Sequence, residues 1–231
     1  MTLTKFGFRE WGSALLAGAI LLAGCAVMIE HDFHALAAWI IAAVVVVLVV
    51  AVCGFFRNPV RRVPRDIQMI TSPADGVVKD IEVLDNFEFF PPEVQVVRIG
   101  IFLSVFNVHV NRAPADMIVE KTHYREGEFL DARHPECGKR NEAMTISGTA
   151  NAGSREFPVA VRQISGAIAR RIVCPVSIGA RLPKGYIYGM IKFGSRTELY
   201  LPADQVTVRV KIGDRVKGGK TIMATIRNCT K

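Results

Sequence analysis

Two long apolar stretches stand at the front of the chain, and short alternating apolar and polar runs make up most of the rest. The apolar stretches cover residues 11–29 and 35–56, and neither contains a charged side chain. Each has about the length that a helix needs to cross a bilayer, and both are apolar on every face. The pattern predicts a two-helix transmembrane hairpin over residues 1–56.

A cleaved signal peptide is the alternative for the first stretch, because Lys5 and Arg9 precede it and small residues stand near its end. The second stretch follows almost at once, which favours the hairpin. Basic residues flank the pair on both outer sides, and the turn between the helices has no Lys or Arg. The positive-inside rule therefore predicts that everything after Phe56 lies on the cytoplasmic face of the cell (inner) membrane.

Beyond a basic, proline-containing connector at 57–71, β-branched runs bounded by Gly, Pro and Asn predict strands. One segment, residues 165–172, has the spacing of a short helix. The predicted fold is a β-rich α+β domain at residues 72–231. Its predicted strands cover residues 77–84, 94–103, 117–123, 143–149 and 157–164.

An internal repeat marks the C-terminal part. Residues 176–185 and 210–219 share the pattern V-x-I-G-x-R-[L/V]-x-x-G, in which glycine turns separate short strands. The pattern resembles the hammerhead turn of lipoyl and biotinyl carrier domains. This resemblance implies a barrel-sandwich-like domain, and a membrane-tethered carrier or adaptor without catalysis is the alternative function. A carrier needs a lysine flanked by Met or Asp at a turn tip, and neither M-K-M nor D-K-A occurs.

Charge and cysteine content limit which ligands and cross-links the sequence supports. The formal net charge is +8, which in a membrane-tethered domain favours anionic lipid head groups. No recognition helix, zinc finger or stacking motif supports a nucleic-acid partner. The five cysteines include no C-x-x-C pair, so neither a disulfide framework nor a metal site is expected.

The segment GMIKFGSRTELYLP at 189–202 closely resembles the self-processing site of the short-form phosphatidylserine decarboxylases. Further segments resemble the same family: SPADG at 72–76, FNVHVNR at 106–112, GAIARRI at 166–172 and GDRV at 213–216. Together they span most of residues 57–231. The resemblance implies a pyruvoyl-dependent carboxy-lyase that is made as a proenzyme and cleaves itself between Gly194 and Ser195.

A Gly-Ser pair suits this cleavage chemically. The Ser195 hydroxyl attacks the Gly194 carbonyl, the amide becomes an ester, and β-elimination releases the long chain 1–194. Hydrolysis of the remaining dehydroalanine leaves the pyruvoyl group on the short chain 195–231. Serine needs an activating base, and the resemblance implies an aspartate and a histidine at Asp75 and His109. Alone, an Asp in a Pro-Ala-Asp-Gly turn is a turn former.

The resemblance also implies the later chemistry. The pyruvoyl group, the only cofactor expected, forms a Schiff base with phosphatidylserine in the membrane, and loss of carbon dioxide yields phosphatidylethanolamine. His109 is the expected proton donor. Longer relatives carry a second histidine in an H-x-x-H arrangement that this chain lacks, and His123 and His134 are the possible substitutes.

Basic side chains are expected to hold the phosphate and carboxylate of the substrate. A homo-oligomer is compatible with the sequence, which leaves the oligomeric state and the ester or ether linkage of the lipid open. The candidate ligands of the head group are Arg112, Arg170, Arg171 and Arg196.

Overall fold

A computed structural model describes residues 1–32, 34–153, 155–167, 171–192 and 194–227. The chain forms two compact units, Met1–Val60 and Arg61–Lys231. The first unit contains a short strand pair, β1 and β2, a 3₁₀ turn and two apolar helices that are long enough to span a membrane. Their bounds are Thr2–Leu3 for β1, Lys5–Gly7 for the 3₁₀ turn, Phe8–Glu30 for α1, Ala35–Phe55 for α2 and Arg57–Asn58 for β2.

The two helices confirm the predicted helical segments, while their crossing of a membrane stays a prediction. They pack closely where α1 has a glycine, because a Cβ at Gly18 would lie 2.7 Å from Val49 Cγ2. Small residues of this kind allow helix backbones to approach each other in an apolar environment.

The second unit is built mainly of strands, and all five strands predicted from the sequence form within three residues of their predicted bounds. The predicted connector contributes the first strand of this unit. A short helix, α3, covers Cys137–Arg140. The strands are β3 Met69–Thr71, β4 Gly76–Leu84, β5 Val96–Leu103, β6 Val110–Arg112, β7 Asp116–Arg125, β8 Ala143–Ala152, β9 Arg155–Ile164, β10 Arg171–Val173, β11 Arg181–Leu182, β12 Ile187–Lys192, β13 Ser195–Pro202, β14 Val206–Val208, β15 Arg215–Val216 and β16 Ile222–Ile226.

Eight of these strands form one antiparallel sheet that curls into a half-barrel, in the order β11-β7-β8-β9-β13-β5-β4-β15. Two three-stranded sheets, β10-β12-β6 and β14-β16-β3, complete the unit. The hydrophobic core combines residues of the large sheet, such as Ile99 and Leu199, with Ile70 and Met223 of the β14-β16-β3 sheet. The apolar alternation along each strand explains this arrangement, because every second side chain points to the same face.

The predicted helix at 165–172 is wrong at its C-terminal end. Arg171 and Ile172 belong to β10 and pair with Lys192 and Ile191 of β12. Residues 168–170 lie outside the described residues. The apolar spacing that suggested a helix extends over barely two turns, and hydrogen bonding to a neighbouring strand outweighs so weak a local preference.

The two copies of the C-terminal repeat have the same backbone conformation at their glycines. Gly179 and Gly213 have φ values of +85° and +94°, and Gly185 and Gly219 have values of +80° and +69°. The short strands between these glycines, β11 and β15, form the two edges of the large sheet. The likeness of this repeat to the hammerhead turn of carrier domains stays a prediction.

Candidate active site

The predicted cleavage site lies at the start of β13. Gly194 has a φ of +61°, a left-handed conformation that glycine adopts without steric penalty. Ser195 is the first residue of β13, pairs with Leu103 of β5 and is fully buried. Phe193 lies outside the described residues. The Gly194–Ser195 bond therefore joins a left-handed turn position to a central strand of the large sheet.

The carbonyl of Gly194 is held against a second glycine. A Cβ added at Gly166 would lie 2.4 Å from the Gly194 oxygen and 3.3 Å from Ala132 Cβ. A real side chain cannot approach an oxygen so closely, so this contact requires glycine at position 166. The backbone at Gly166 thus limits where the Gly194 carbonyl can lie.

His109 directly precedes β6 and is fully buried. Its carbonyl accepts a hydrogen bond from the amide of Ile191 at 3.2 Å. Because Ile191 lies on β12, the strand that leads to the cleavage site, His109 is anchored beside that strand.

Asp75 lies in the turn before β4. Its Oδ1 accepts a hydrogen bond from the Gly218 amide at 2.7 Å, and its Oδ2 accepts one from Arg61 Nη2 at 2.6 Å. The Arg61–Asp75 ion pair is largely buried, with side-chain exposures of 11% and 13%. The Gly218 amide and Arg61 are the hydrogen-bond donors to this carboxylate among the described residues.

Strand register brings the predicted residues to one end of the sheet. Val77, Phe102 and Arg196 stand side by side across β4, β5 and β13. One position further along, Gly76 and Ser195 are the first residues of β4 and β13, and Asp75 directly precedes Gly76. The amide of Arg112 donates to the Pro73 carbonyl at 2.9 Å, which ties the strand after His109 to the same turn.

Several buried polar side chains line the interior near Ser195. Asn111 Nδ2 donates to Thr197 Oγ1 at 3.0 Å, and Gln163 Nε2 donates to Asn111 Oδ1 at 2.8 Å. Ser195 and Thr197 alternate on β13 and so share one face. Three further buried atoms of these residues and their neighbours have no hydrogen-bond partner among the described residues: Ser195 Oγ, Ser165 Oγ and Gln163 Oε1. Tyr188 Oη, on β12, is also buried without one.

An unsatisfied buried polar atom costs free energy, so these atoms suit a polar ligand or a reacting group. Burial raises the pKa of Tyr188 well above its ordinary value, which keeps its phenol protonated. The interior around Ser195 is therefore compatible with a small carbonyl group at that position.

Two of the predicted head-group ligands are buried with internal partners. Arg196 donates to both oxygens of Asp80 at 2.7 Å each and to Glu198 at 2.8 Å. Burial alone lowers its pKa, but the hydrogen bonds and charges of Asp80 and Glu198 outweigh burial and raise it. Arg112 donates to the Gly185 carbonyl at 3.0 Å, and burial together with the nearby charge of Arg61 lowers its pKa, against the charge of Asp75.

Of the other two predicted ligands, Arg171 is exposed on β10, and Arg170 lies outside the described residues. The proposed substitute histidines are both exposed: His123 lies on β7, and His134 accepts a hydrogen bond from the Glu136 amide at 3.1 Å. The described residues contain no group of three or more His, Cys, Asp or Glu side chains that could hold a metal ion.

Sequence reasoning missed three residues of this region. Lys192, at the end of β12, is only 5% exposed, and the apolar run before it was the signal that a strand leads into the site. Arg61 lies in the predicted connector, where no local pattern indicates its ion pair with Asp75. Gly166 was noted only as part of a family-like segment, and its reason for being glycine is visible only in three dimensions.

A surface cavity of about 250 Å³ adjoins the predicted cleavage site. Gly194 lines it together with Val105 from the β5–β6 turn and Ala132 and Arg133 from the loop before α3. Arg133 is exposed and makes a two-point ion pair with Asp131, whose pKa it lowers to about 2. This cavity is an entrance by which a small group could reach the Gly194–Ser195 junction.

Residues 49–224 match the family model for phosphatidylserine decarboxylase. The chain belongs to the phosphatidylserine decarboxylase family. It is 48% identical to the phosphatidylserine decarboxylase proenzyme of Carboxydothermus hydrogenoformans over 79% of this chain and 83% of that protein. It is 42% identical to that of Rhodopirellula baltica over 80% and 76% of the two chains, and 40% identical to that of Trichlorobacter lovleyi over 92% of each.

Family membership confirms the resemblance inferred from the sequence and makes the protein a decarboxylase, a lyase of phospholipid metabolism. The carrier or adaptor alternative is therefore set aside. Asp75, His109, Gly194 and Ser195 all lie within the matched residues 49–224.

Proposed function

We propose that this decarboxylase cleaves itself between Gly194 and Ser195, and that the pyruvoyl group so formed converts phosphatidylserine to phosphatidylethanolamine. The observation that carries the proposal is Ser195 itself: a fully buried hydroxyl at the head of a central strand, directly after a glycine with positive φ. A buried serine in this position has no evident structural purpose, since its Oγ makes no hydrogen bond with the described residues.

In the proposed maturation, Ser195 Oγ attacks the Gly194 carbonyl carbon and the Gly194–Ser195 peptide C–N bond breaks as an ester forms. Loss of the Cα proton of residue 195 then expels residues 1–194 as a carboxylate. Water converts the remaining dehydroalanine to the pyruvoyl group and releases ammonia. Gly166 holds the carbonyl in place during the attack, and the positive φ of Gly194 supplies the compact backbone geometry.

His109 is proposed to remove the hydroxyl proton during maturation, because a neutral imidazole is a base near physiological pH. Asp75 is proposed to orient and stabilise the charged His109. Arg61 holds Asp75 Oδ2 in this structure, and in the proposed step Oδ2 passes from Arg61 to His109 while Oδ1 stays on the Gly218 amide.

When formed, the pyruvoyl group supplies the carbonyl that accepts the electrons released with carbon dioxide. In turnover His109 is proposed to hold the proton that replaces the carboxylate. Arg112 lies close enough to Arg61 and Asp75 for both charges to change its pKa. These two arginines are proposed to attract the phosphate or carboxylate of the substrate.

After cleavage the long and short chains are proposed to stay together. The short chain begins with β13, whose eight residues pair with β5 and five of which also pair with β9. The ion pair from Arg196 to Asp80 of the long chain adds a side-chain contact at the new terminus. Separation of the chains would break all of these contacts at once.

The enzyme is proposed to be anchored by the helical hairpin with its β-rich unit in the cytoplasm. Cys137 is fully buried and therefore a poor reporter of topology. A Lys139→Cys variant places a thiol at a site with 76% side-chain exposure. A membrane-impermeant thiol reagent should label this cysteine only after the cells are opened. Labelling in intact cells would show that the β-rich unit faces the outside, opposite to the proposed orientation.

The activity is tested by adding phosphatidylserine to the purified full-length protein in detergent and measuring phosphatidylethanolamine and carbon dioxide. The parent protein should form both in equal amounts, and Ser195→Ala should form neither. If Ser195→Ala produces phosphatidylethanolamine at the parent rate, a pyruvoyl group at residue 195 is not the cofactor. Comparison of ester- and ether-linked substrates in the same assay identifies the preferred lipid.

A further inference from the structure

The β5–β6 turn displays an apolar tip beside the cleavage site. Phe106 is 83% exposed and its neighbour Val105 is 40% exposed. A phenylalanine with so much surface in water is costly, because removal of an aromatic ring from water is favourable. The tip consists of two adjacent residues, and Val105 lines the cavity that contains Gly194.

Hydrogen bonds hold this turn in shape. Asn107 Oδ1 accepts hydrogen bonds from both the amide and the hydroxyl of Ser104 at 2.9 Å, and the Asn107 amide donates to the Ser104 carbonyl at 2.9 Å. A side-chain turn of this type fixes the backbone on both sides of the tip. The exposure of Phe106 is therefore built into the turn.

The surroundings favour an apolar contact over an electrostatic one. The cation at the cavity mouth, Arg133, is paired with Asp131, and the pKa of about 2 keeps that carboxylate ionised at neutral pH. The pair therefore has no net charge with which to attract an anionic surface. Among the described residues of the rim, Phe106 and Val105 present apolar side chains to a partner.

We propose that the Ser104–Asn107 turn inserts Phe106 and Val105 into the lipid bilayer and so places the mouth of the Gly194 cavity at the membrane surface. This inference rests on the proposed function, in which the substrate is a membrane phospholipid with its acyl chains in the bilayer. Insertion lets the head group reach the cavity while the acyl chains stay in lipid. The partner is the acyl–glycerol region of the bilayer, and a second copy of the chain is the competing occupant.

Depth-dependent fluorescence quenching tests insertion without any need for activity. The two native tryptophans are replaced in the full-length protein (Trp11→Phe, Trp39→Phe), and Phe106→Trp supplies the probe. The matched control is Val83→Trp, because Val83 is also exposed, at 60%. Val83 pairs with Val97, which lies six residues along β5 from Leu103 at the start of the turn. The control position is therefore about 20 Å from the turn.

In vesicles that contain phosphatidylcholine with brominated acyl chains, the tryptophan at 106 should be strongly quenched and the tryptophan at 83 hardly quenched. High salt should not change the result, because the contact is apolar. Equal quenching at the two positions contradicts the proposal. A tryptophan at 106 that escapes both brominated lipid and aqueous acrylamide also contradicts it, and identifies a second copy as the occupant.

Activity gives a second, independent readout. Phe106→Ser should lower the ratio of kcat/KM for vesicle-bound to short-chain, monomeric phosphatidylserine by roughly tenfold. An unchanged ratio contradicts the proposal. If no variant decarboxylates any phosphatidylserine, the proposed function fails, and the quenching result still decides whether the turn enters the bilayer.

Discussion

Two Pro-Ala-Asp turns, at 73–75 and 114–116, have the same local structure in different surroundings. Asp75 accepts a hydrogen bond from the Gly218 amide at 2.7 Å, and Asp116 accepts one from the Lys184 amide at 2.8 Å. Gly218 and Lys184 occupy equivalent positions in the two copies of the C-terminal repeat. Each aspartate thus stabilises the turn at one edge of the large sheet.

The differences begin beyond this hydrogen bond. Asp75 is largely buried and paired with Arg61, whereas Asp116 is exposed. A cavity of about 310 Å³ adjoins Asp116, larger than the cavity of about 250 Å³ at Gly194. Neither turn chemistry nor cavity size therefore singles out the functional copy. The buried charges around Asp75, at the end of the sheet where Ser195 lies, distinguish it.

The largest expected effect separates the two aspartates. Asp75→Asn should slow self-cleavage by about 10²-fold or more, because the charge that stabilises the protonated His109 is lost. Asp116→Asn should change the cleavage rate by less than about twofold. Both variants keep an oxygen that accepts the turn hydrogen bond, so both should fold. The appearance of the short chain on a denaturing gel over time measures the rate.

Normal cleavage of Asp75→Asn would make the two turns equivalent, and Asp75 would then be an ordinary turn former. Equal slowing by both substitutions would trace the effect to the edges of the sheet and not to chemistry at Asp75.

The second effect concerns Arg61, whose ion pair with Asp75 has no counterpart at Asp116 among the ion pairs of the described residues. If Oδ2 of Asp75 passes from Arg61 to His109, Arg61→Gln should cleave within about threefold of the parent rate. It should also lower the free energy of unfolding by about 1–3 kcal/mol, because it leaves a buried carboxylate without its cation. Cleavage time courses and denaturant unfolding measure the two quantities. Loss of cleavage as severe as in Asp75→Asn would make the Arg61–Asp75 pair itself the functional unit.

The smallest expected effect tests whether the two copies of the repeat are structurally equivalent. Gly179 and Gly213 have positive φ, and a Cβ added at either would meet no atom within 4 Å, so Ala should cost only the left-handed strain of about 1–2 kcal/mol. Gly219→Ala should cost more, since its Cβ would lie 2.9 Å from Arg112 Cδ. Unfolding in urea measures all three, and unequal costs at Gly179 and Gly213 would break the equivalence of the copies.

The sequence predicted most of what depends on local alternation. The apolar spacing of 96–103 and 157–164 reflects strands that bury one face against the core, and the paired glycines of the repeat adopt matching conformations. Prediction failed where a distant strand decides the outcome. Arg171 and Ile172 have helical spacing, but β12 supplies backbone hydrogen bonds that turn them into a strand.

The candidate site divides in the same way. The Gly194–Ser195 pair was predicted from a contiguous segment that resembles the family. The contacts of Gly166 with the Gly194 carbonyl and of Arg61 with Asp75 join segments far apart in the chain, so no local pattern signals them. The internal ion pairs of Arg196 likewise depend on Asp80, two strands away across the sheet.

The most direct test of self-cleavage is the intact mass of the purified full-length protein, measured with and without an aminooxy reagent that captures ketones. The parent protein should give a chain of residues 1–194 and a chain of residues 195–231 whose blocked N-terminus gains the mass of the reagent. Ser195→Ala should give one uncleaved chain that does not react. A single, unreactive full-length species that still decarboxylates phosphatidylserine would contradict the mechanism proposed for this enzyme.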